Sequence, residues 1–149
     1  MATVIDLAKL PVRELNQALH APGSDAWRVL NPRGAHAVAC GIREHHTVDI
    51  EGHVGYYCAG MNQHATVTVH GNAGTGVAEN MMSGTVRVRG NASQSAGATA
   101  HGGLLVVDGD ASARCGISLT LSSLKGGDSY GSRRETSCFI ADCPPGELR

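Results

Sequence analysis

The sequence is poor in aromatic residues and has no long apolar run. One Trp, three Tyr and one Phe occur in 149 residues, so large rings can supply little of the core. No stretch is apolar enough for a transmembrane helix, and the N-terminal segment MATVIDLAKL lacks the apolar region of a signal peptide. We therefore expect a cytoplasmic protein with no membrane partner and a core of aliphatic and small residues.

Neither sign of charge dominates, and the cysteines are scattered. The 12 basic and 13 acidic side chains leave a net charge of -1, which gives no reason to expect a nucleic-acid partner. Without a signal segment, five cysteines indicate free thiols. Cys138 and Cys143 are the one close pair, and no second pair follows at zinc-finger spacing. We expect no metal site.

Glycine is abundant instead, and it recurs at a fixed period. The chain holds 20 glycines. The segments TVDIEG, TVTVHG, TVRVRG and LLVVDG each begin 19 residues after the one before. A period of this length is typical of a solenoid, in which each repeat buries its apolar face only by stacking on the next. The glycines that end the four segments share one phase: Gly52, Gly71, Gly90 and Gly109.

Within each of these segments the side chains alternate between apolar and polar, as in a strand with one buried face. The pattern predicts an all-β fold, a parallel β-helix with 19-residue rungs and two or three short strands per turn. A glycine after each strand suits a corner that needs positive φ or close backbone approach. Cys58 and Cys115 lie three periods apart, too far for a disulfide, so we expect both to be reduced. Two columns are predicted to face inward: Val48, Val67, Val86 and Leu105, with Ile50, Val69, Val88 and Val107.

The repeat divides the chain into three predicted parts. Residues 1–46 form a small α/β cap with a helix that starts at Pro11 and has Val12, Leu15 and Leu19 on one face. The segments WRVL and HAVACGI are predicted to be short strands that lead into the coil. Residues 47–118 form the β-helix. Residues 119–149 depart from the period, and we expect an irregular tail produced by a frameshift, a truncation or divergence.

Large adaptable side chains concentrate at the turns of two neighbouring rungs. Aromatic and Met side chains are enriched at protein interfaces, but the same residues would also suit packing under the N-terminal cap. Both interpretations remain open. The candidate interface residues are Tyr56, Tyr57, Met61, Met81 and Met82.

Polar side chains near the corners have a structural interpretation. Asn72 and Asn91 share a phase with His53 below and Asp110 above, and we expect the asparagines to satisfy corner backbone groups. Adjacent histidines on a strand point to opposite faces, so His45 and His46 make a poor chelating pair. We expect these histidines, with His53 and His64, to be solvated surface residues.

The phased region resembles the C-terminal GXGXG domain of the large subunit of glutamate synthase. The resemblance covers roughly residues 5–118, and NPRGAHAVA and AENMMSG are its most specific pieces. It is similar in particular to the stand-alone subunits found in assemblies such as N-methylglutamate synthase of methylamine users. The resemblance implies a right-handed parallel β-helix that serves as a structural subunit and braces an amidotransferase-like subunit and an FMN-binding synthase-like subunit. It implies no catalytic residue here, no cofactor in this chain, and FMN and an iron–sulfur cluster in a partner.

Two other functions compete with this interpretation. One is a free-standing β-helix used for binding or assembly. The other is an acyltransferase of the hexapeptide-repeat kind, with a histidine base. Hexapeptide coils have 18 residues per turn, and the 19-residue period without a six-residue sub-period argues against that enzyme class.

Overall fold

The computed structural model describes residues 1–22, 26–118 and 140–141. Within them the chain forms one helix and a single sheet whose strands follow one another in sequence order. Neighbours from β1 to β6 run parallel, while β7 is antiparallel to β6. The elements are β1 (Thr3–Asp6), α1 (Val12–Leu19), β2 (Ala26–Leu30), β3 (Thr47–Glu51), β4 (Thr66–Val69), β5 (Thr85–Val88), β6 (Leu104–Val107) and β7 (Ile140–Ala141).

The strands stack in register and form a parallel β-helix. From β3 to β6 each residue pairs with the one 19 positions later, so Val48 pairs with Val67 and Val67 with Val86. All eight side chains of the two predicted inward columns are fully buried. Burying each of these aliphatic side chains contributes about 1.5–3 kcal/mol. The predicted fold and its core columns are confirmed.

The four repeat glycines form a column because successive backbones approach closely. A Cβ on Gly71 would lie 2.7 Å from the carbonyl carbon and oxygen of Gly52, and one on Gly90 would lie 2.7 Å from the oxygen of Gly71. Gly109 stands in the same relation to Gly90. Only Gly52 of the four has positive φ, at 137°. Close approach is therefore the general requirement, and the alternative of positive φ is wrong for the other three.

The side of each rung opposite the strands is a turn with an unusual backbone. Each rung carries one strand and one isolated bridge, in the column Val54, Ala73, Ala92 and Ala111, not the two or three strands predicted. Beyond the bridge, left-handed backbone recurs at three positions that repeat from rung to rung. The columns are Tyr57, Gly76, Ser95 and Arg114; Ala59, Ala78, Gly97 and Gly116; and Met61, Asn80, Thr99 and Ser118.

Hydrogen bonds between rungs hold this turn backbone in place. The N–H of Tyr57 donates to the carbonyl of Thr75 in the next rung (2.9 Å), while the N–H of Ala59 donates to Val38 in the previous rung (2.9 Å). Such bonds recur through the coil, and each replaces a contact with water. This bonding offsets the cost of left-handed backbone in residues other than glycine, about 1–2 kcal/mol each.

The sheet extends further toward the N terminus than the 19-residue period does. Trp27 in β2 pairs with Val48, 21 residues later, and Thr3 in β1 pairs with Trp27, 24 residues later. The WRVL segment is a strand as predicted, but HAVACGI forms turns and no strand. The predicted boundary at residue 46 stays a prediction, although the parallel sheet already begins with β1.

Helix α1 covers the first turn of the coil. It begins one residue later than predicted, since Pro11 has extended backbone (ψ 155°) and acts as the N-cap. Leu15 and Leu19 are fully buried. The side-chain amide of Asn16 donates to the carbonyl of Ala37 (2.8 Å) and accepts the N–H of Cys40 (3.3 Å). Asn16 thus supplies the partners that a preceding rung would otherwise provide.

The cysteines follow the prediction only in part. Cys58 is a free thiol in the core, as expected. Cys115 is disulfide-bonded, so the prediction that it is reduced is wrong; its partner is not Cys58 and lies outside the described residues. Cys138, Cys143 and most of the predicted irregular tail also lie outside them. No helix in the described ranges is long and apolar enough to span a membrane.

Candidate functional site

The exposed side chains at the turns of the coil form the candidate site. Tyr56, Met61 and Met82 are 61%, 46% and 47% exposed, and we call these three residues the turn surface. Tyr56 and Met61 belong to one rung, and Met82 belongs to the next. Of the other two candidate interface residues, Tyr57 is half-buried and Met81 is fully buried.

His36 holds Tyr56 by two contacts. The imidazole of His36 stacks on the Tyr56 ring with a centroid distance of 4.4 Å and an interplanar angle of 17°. The Nδ1 atom of His36 also accepts the backbone N–H of Tyr56 (2.8 Å). Gly55 makes this possible, because a Cβ there would collide with Nδ1. The orientation of Tyr56 is therefore set by the preceding rung.

Tyr57 is a structural residue of the turn. Its ring lies over Gly60, where a Cβ would collide with the ring carbons. Its hydroxyl accepts a hydrogen bond from the side-chain amide of Asn80 (2.9 Å), and the Thr99 hydroxyl donates to the Oδ1 of Asn80 in turn. This polar chain crosses three rungs and fixes Tyr57, which has a φ of 60°.

Met81 belongs to the core. It is fully buried, and its Cε lies 2.6 Å from where a Cβ on Gly103 would be. The glycine leaves room for the methionine, which fills the irregular space inside the turn. Packing in the core accounts for Met81, whereas Met61 and Met82 remain available on the surface. The role of this surface as an interface stays a prediction.

A column of side chains bonds to the backbone of the next rung at the corner. His53 Nδ1 accepts the N–H of Asn72 (2.9 Å), Asn72 Oδ1 accepts the N–H of Asn91 (2.9 Å), and Asn91 Oδ1 accepts the N–H of Asp110 (2.9 Å). The expectation that the asparagines satisfy corner backbones is confirmed. The same role for His53 was not foreseen.

Charged side chains pair on the outer face of the sheet. Arg87 makes two hydrogen bonds to Asp108, at 2.9 and 3.0 Å, and Arg89 makes one longer contact to it at 3.4 Å. The hydrogen bonds from Arg87 lower the pKa of the Asp108 carboxyl below its usual range. His70 Nε2 lies 3.0 Å from Asp49. Solvated pairs such as these contribute little to stability.

Three of the four histidines behave as predicted, and His46 does not. His45 and His64 stack on each other in solvent, with ring centroids 4.7 Å apart. His46 is only 2% exposed and packs edge-on against Trp27 at 5.7 Å. The prediction of a surface position is wrong for His46 because it faces inward at the start of β3, opposite to His45. Neither of its ring nitrogens has a hydrogen-bond partner among the described residues.

The described residues contain no group of three or more His, Cys, Asp or Glu arranged to hold a metal ion. Cys40 and Cys58 are free thiols, and burial makes both less acidic. It raises the pKa of Cys58 to about 12 and also raises the pKa of Cys40. A thiolate is the reactive form of cysteine, so neither side chain is poised as a nucleophile.

Sequence reasoning missed His36, which positions Tyr56, and Asn16, which bonds to the first rung. Asn16 and His36 both precede the four aligned segments, where no period indicates which residues stack. His36 stands 20 residues before Tyr56 and lies inside the NPRGAHAVA segment. A glycine at position 55, between the two stacked rungs, was the available signal that a side chain had to fit against the backbone there.

One segment of this chain is similar to a known protein. Over 60 residues it is 62% identical to Protein GlxC of Rhizobium meliloti (strain 1021), a match that covers 38% of this chain and 26% of the relative. The match therefore spans about a quarter of the relative's length. No protein-family model matches the chain, and no solved structure does.

Proposed function

We propose that this chain is a non-catalytic structural subunit of a glutamate synthase-like complex, with an N-methylglutamate synthase as the specific candidate. In that role it braces an amidotransferase-like subunit against an FMN-binding subunit, which also carries the iron–sulfur cluster. The resemblance of residues 5–118 to the GXGXG domain supports this proposal. The structure has the parallel β-helix that the resemblance implies, and the identity with Protein GlxC is high over the segment that matches.

The observation that carries the proposal is hydrogen bonding between rungs on both sides of the coil. The strand side is bonded from β1 to β6, and the turn side is bonded from Ala37 to Ile117. A coil held in this way resists bending because motion between rungs breaks bonds on one side or the other. Rigid geometry is what a brace between two other subunits requires.

The turn surface supplies the proposed contact with a partner subunit. Exposed aromatic and Met side chains are favoured at interfaces because they bury much area and adapt to the opposing surface. Tyr56 is held in one orientation by His36, so little freedom is lost when a partner covers it. Met61 and Met82 extend the surface to the neighbouring rung.

The proposal is tested by purification from the host. The full chain with an affinity tag is expected to recover an amidotransferase-like protein and an FMN-binding protein, seen by mass spectrometry and by flavin absorbance. The triple variant Tyr56→Ala, Met61→Ala, Met82→Ala is expected to lose at least one of them. Val4→Ala is the control, because Val4 is 56% exposed but lies on the outer face of β1.

Recovery of neither partner with the wild-type chain would overturn the proposal. A chain that elutes alone and folded would favour a free-standing binding module. Binding of an acyl-CoA in calorimetry would instead favour the acyltransferase alternative. Recovery of both partners by the triple variant would leave the subunit role intact and reject the turn surface as its contact.

A further inference from the structure

We propose that the free edge of strand β1 pairs with β1 of a second copy of this chain, so that two coils join end to end through one continuous sheet. A strand edge with unpaired N–H and C=O groups is a template for such pairing. The second copy runs antiparallel, with the twofold axis at Val4. This inference goes beyond the proposed function and does not depend on it.

The backbone groups of Val4 and Asp6 point away from the rest of the sheet. The N–H of Leu7 donates to the carbonyl of Leu30 in β2 (2.9 Å). Successive residues of a strand direct their backbone groups to opposite sides. Leu7 therefore belongs with the residues that bond to β2, whereas Val4 and Asp6 occupy the alternate positions. In the part of the chain that the structure describes, no strand lies beyond β1.

The unpaired groups of β1 complement those of an identical strand. The carbonyl of Asp6 already accepts the N–H groups of Lys9 and Leu10 (3.0 Å each), which leaves the N–H of Asp6 with both backbone groups of Val4. When Val4 lies opposite Val4 of the second copy, the two residues exchange both bonds. Asp6 then lies opposite Ala2 of the second copy, whose carbonyl accepts its N–H. All three groups find partners in this register.

The side chains of β1 do not protect this edge. Natural edge strands avoid pairing through charged side chains, proline or bulges, but Thr3, Val4 and Ile5 are uncharged and Asp6 is the only charged residue of the strand. Val4 is 56% exposed and Leu10 is 40% exposed. Both border an open groove of about 470 Å³. The residues that line it are Val4, Ile5, Asp6, Lys9, Leu10 and Leu30.

The charges of two identical strands do not oppose each other in this register. The two Asp6 carboxylates lie roughly 14 Å apart, since each faces Ala2 of the other copy. This separation exceeds the screening length of about 10 Å at roughly 0.1 M ionic strength. Each carboxylate also accepts hydrogen bonds within its own chain, from Asn31 (2.8 Å) and from the N–H of Ala8 (2.9 Å). A second copy thus supplies an uncharged apolar strand to an uncharged apolar edge.

The other end of the sheet already shows pairing of this kind. There β7 adds antiparallel to β6, with Ile140 opposite Leu105. At the first end, helix α1 is bonded on the turn side, where Asn16 contacts Ala37 and Cys40. The helix therefore leaves the edge of β1 open to a strand from outside.

The experiment measures the mass of the full chain by light scattering and sedimentation over a series of concentrations, and a monomer–dimer equilibrium is expected. Val4→Pro removes the outward N–H and leaves the bonds to β2 intact, since proline is tolerated on this side of an edge strand. Two hydrogen bonds per dimer are lost, so the dissociation constant should rise at least about tenfold. Val4→Ala is the matched control. It keeps both backbone groups and should raise the constant by less than about fivefold.

A charge exchange tests the twofold register directly. In Val4→Lys, and equally in Val4→Glu, the pairing places like charges opposite each other, which is destabilising. Each variant alone should be monomeric with a thermal midpoint close to that of wild type. An equimolar mixture of the two should form a heterodimer, because the charges opposite each other then attract.

A wild-type chain that stays monomeric up to its solubility limit would overturn the proposal. A dimer that withstands Val4→Pro would do the same, and if that variant fails to fold, the Lys and Glu variants decide. Slow hydrogen exchange at the Val4 amide of the monomer would show that another segment of this chain covers the edge, which also contradicts the proposal.

The triple variant Tyr56→Ala, Met61→Ala, Met82→Ala separates this contact from the turn surface. It should dimerise as the wild type does, whatever it recovers from the host. Loss of the dimer in this variant would move the contact to the turn surface and overturn the assignment to β1. A dimer in a chain that recovers no other subunit would sustain the assignment and reject the proposed function.

Discussion

The strand side and the turn side of the coil come from the same 19-residue repeat but follow opposite backbone rules. Strand residues are extended and alternate between buried aliphatic and solvated side chains. Turn residues take left-handed backbone at three positions per rung, filled by residues as different as Tyr57, Ala59 and Met61. The comparison teaches that the strand side shows its structure in alternating burial of side chains, whereas the turn side shows its structure in left-handed backbone that bonds between rungs hold in place.

The largest expected effect comes from a substitution in the buried face of the strand side. Ile50→Ala removes most of a fully buried side chain and leaves a cavity, so the free energy of unfolding should fall by about 2–5 kcal/mol in denaturant titrations. Val4→Ala is the control on an exposed position of the same sheet, with an expected change within about 0.5 kcal/mol. Equal losses in the two variants would contradict a core located in the inward columns.

A smaller effect tests the corner between the two sides. Gly90→Ala would place a Cβ 2.7 Å from the carbonyl oxygen of Gly71, and the required backbone shift should cost about 1–3 kcal/mol. At Gly34 a Cβ meets nothing within 4 Å, although φ is +73°. Gly34→Ala should therefore cost less, about 1 kcal/mol from left-handed strain alone. The reverse order of unfolding free energies would mean that close approach does not explain the glycine column.

The smallest expected effect is a glycine substitution that should change the free energy of unfolding differently on the two sides. Thr66→Gly, in strand β4, should lower the free energy of unfolding by about 1 kcal/mol because glycine suits a strand poorly. Ser95→Gly should leave it unchanged or raise it by up to about 1 kcal/mol, since Ser95 has a φ of 60° and Gly76 already occupies that column. Thermal unfolding of both variants checks this, and a loss of similar size at both positions would reject the difference between the sides.

The strand side was predictable because burial and period leave marks on residue type. The eight inward residues, the glycine column and the acceptor role of Asn72 all follow from side chains that recur every 19 positions. On the turn side, residue type indicates the backbone conformation less clearly. Left-handed backbone at Met61 or Thr99 is invisible in the sequence, because the hydrogen bonds between rungs, and not the side chain, impose it.

The structure of the first rungs could not be predicted for a different reason. β1 and β2 join the same sheet at spacings of 24 and 21 residues, so no fixed period connects them to the rest. His36, which holds Tyr56, lies in this irregular region, as does Asn16 of the covering helix. The burial of His46 depended on which side of the chain faces Trp27, and the disulfide of Cys115 depended on a partner outside the repeat.

The fixed register from β3 to β6 has a consequence for length. Since the 19-residue register is the same across these strands, excising one whole 19-residue unit would keep the remaining strands in register and shorten the coil by a single step of about 4.8 Å. Inserting a unit would lengthen it by the same increment. The number of 19-residue units therefore sets the length of the coil, and with it the distance between two proteins bound at its ends.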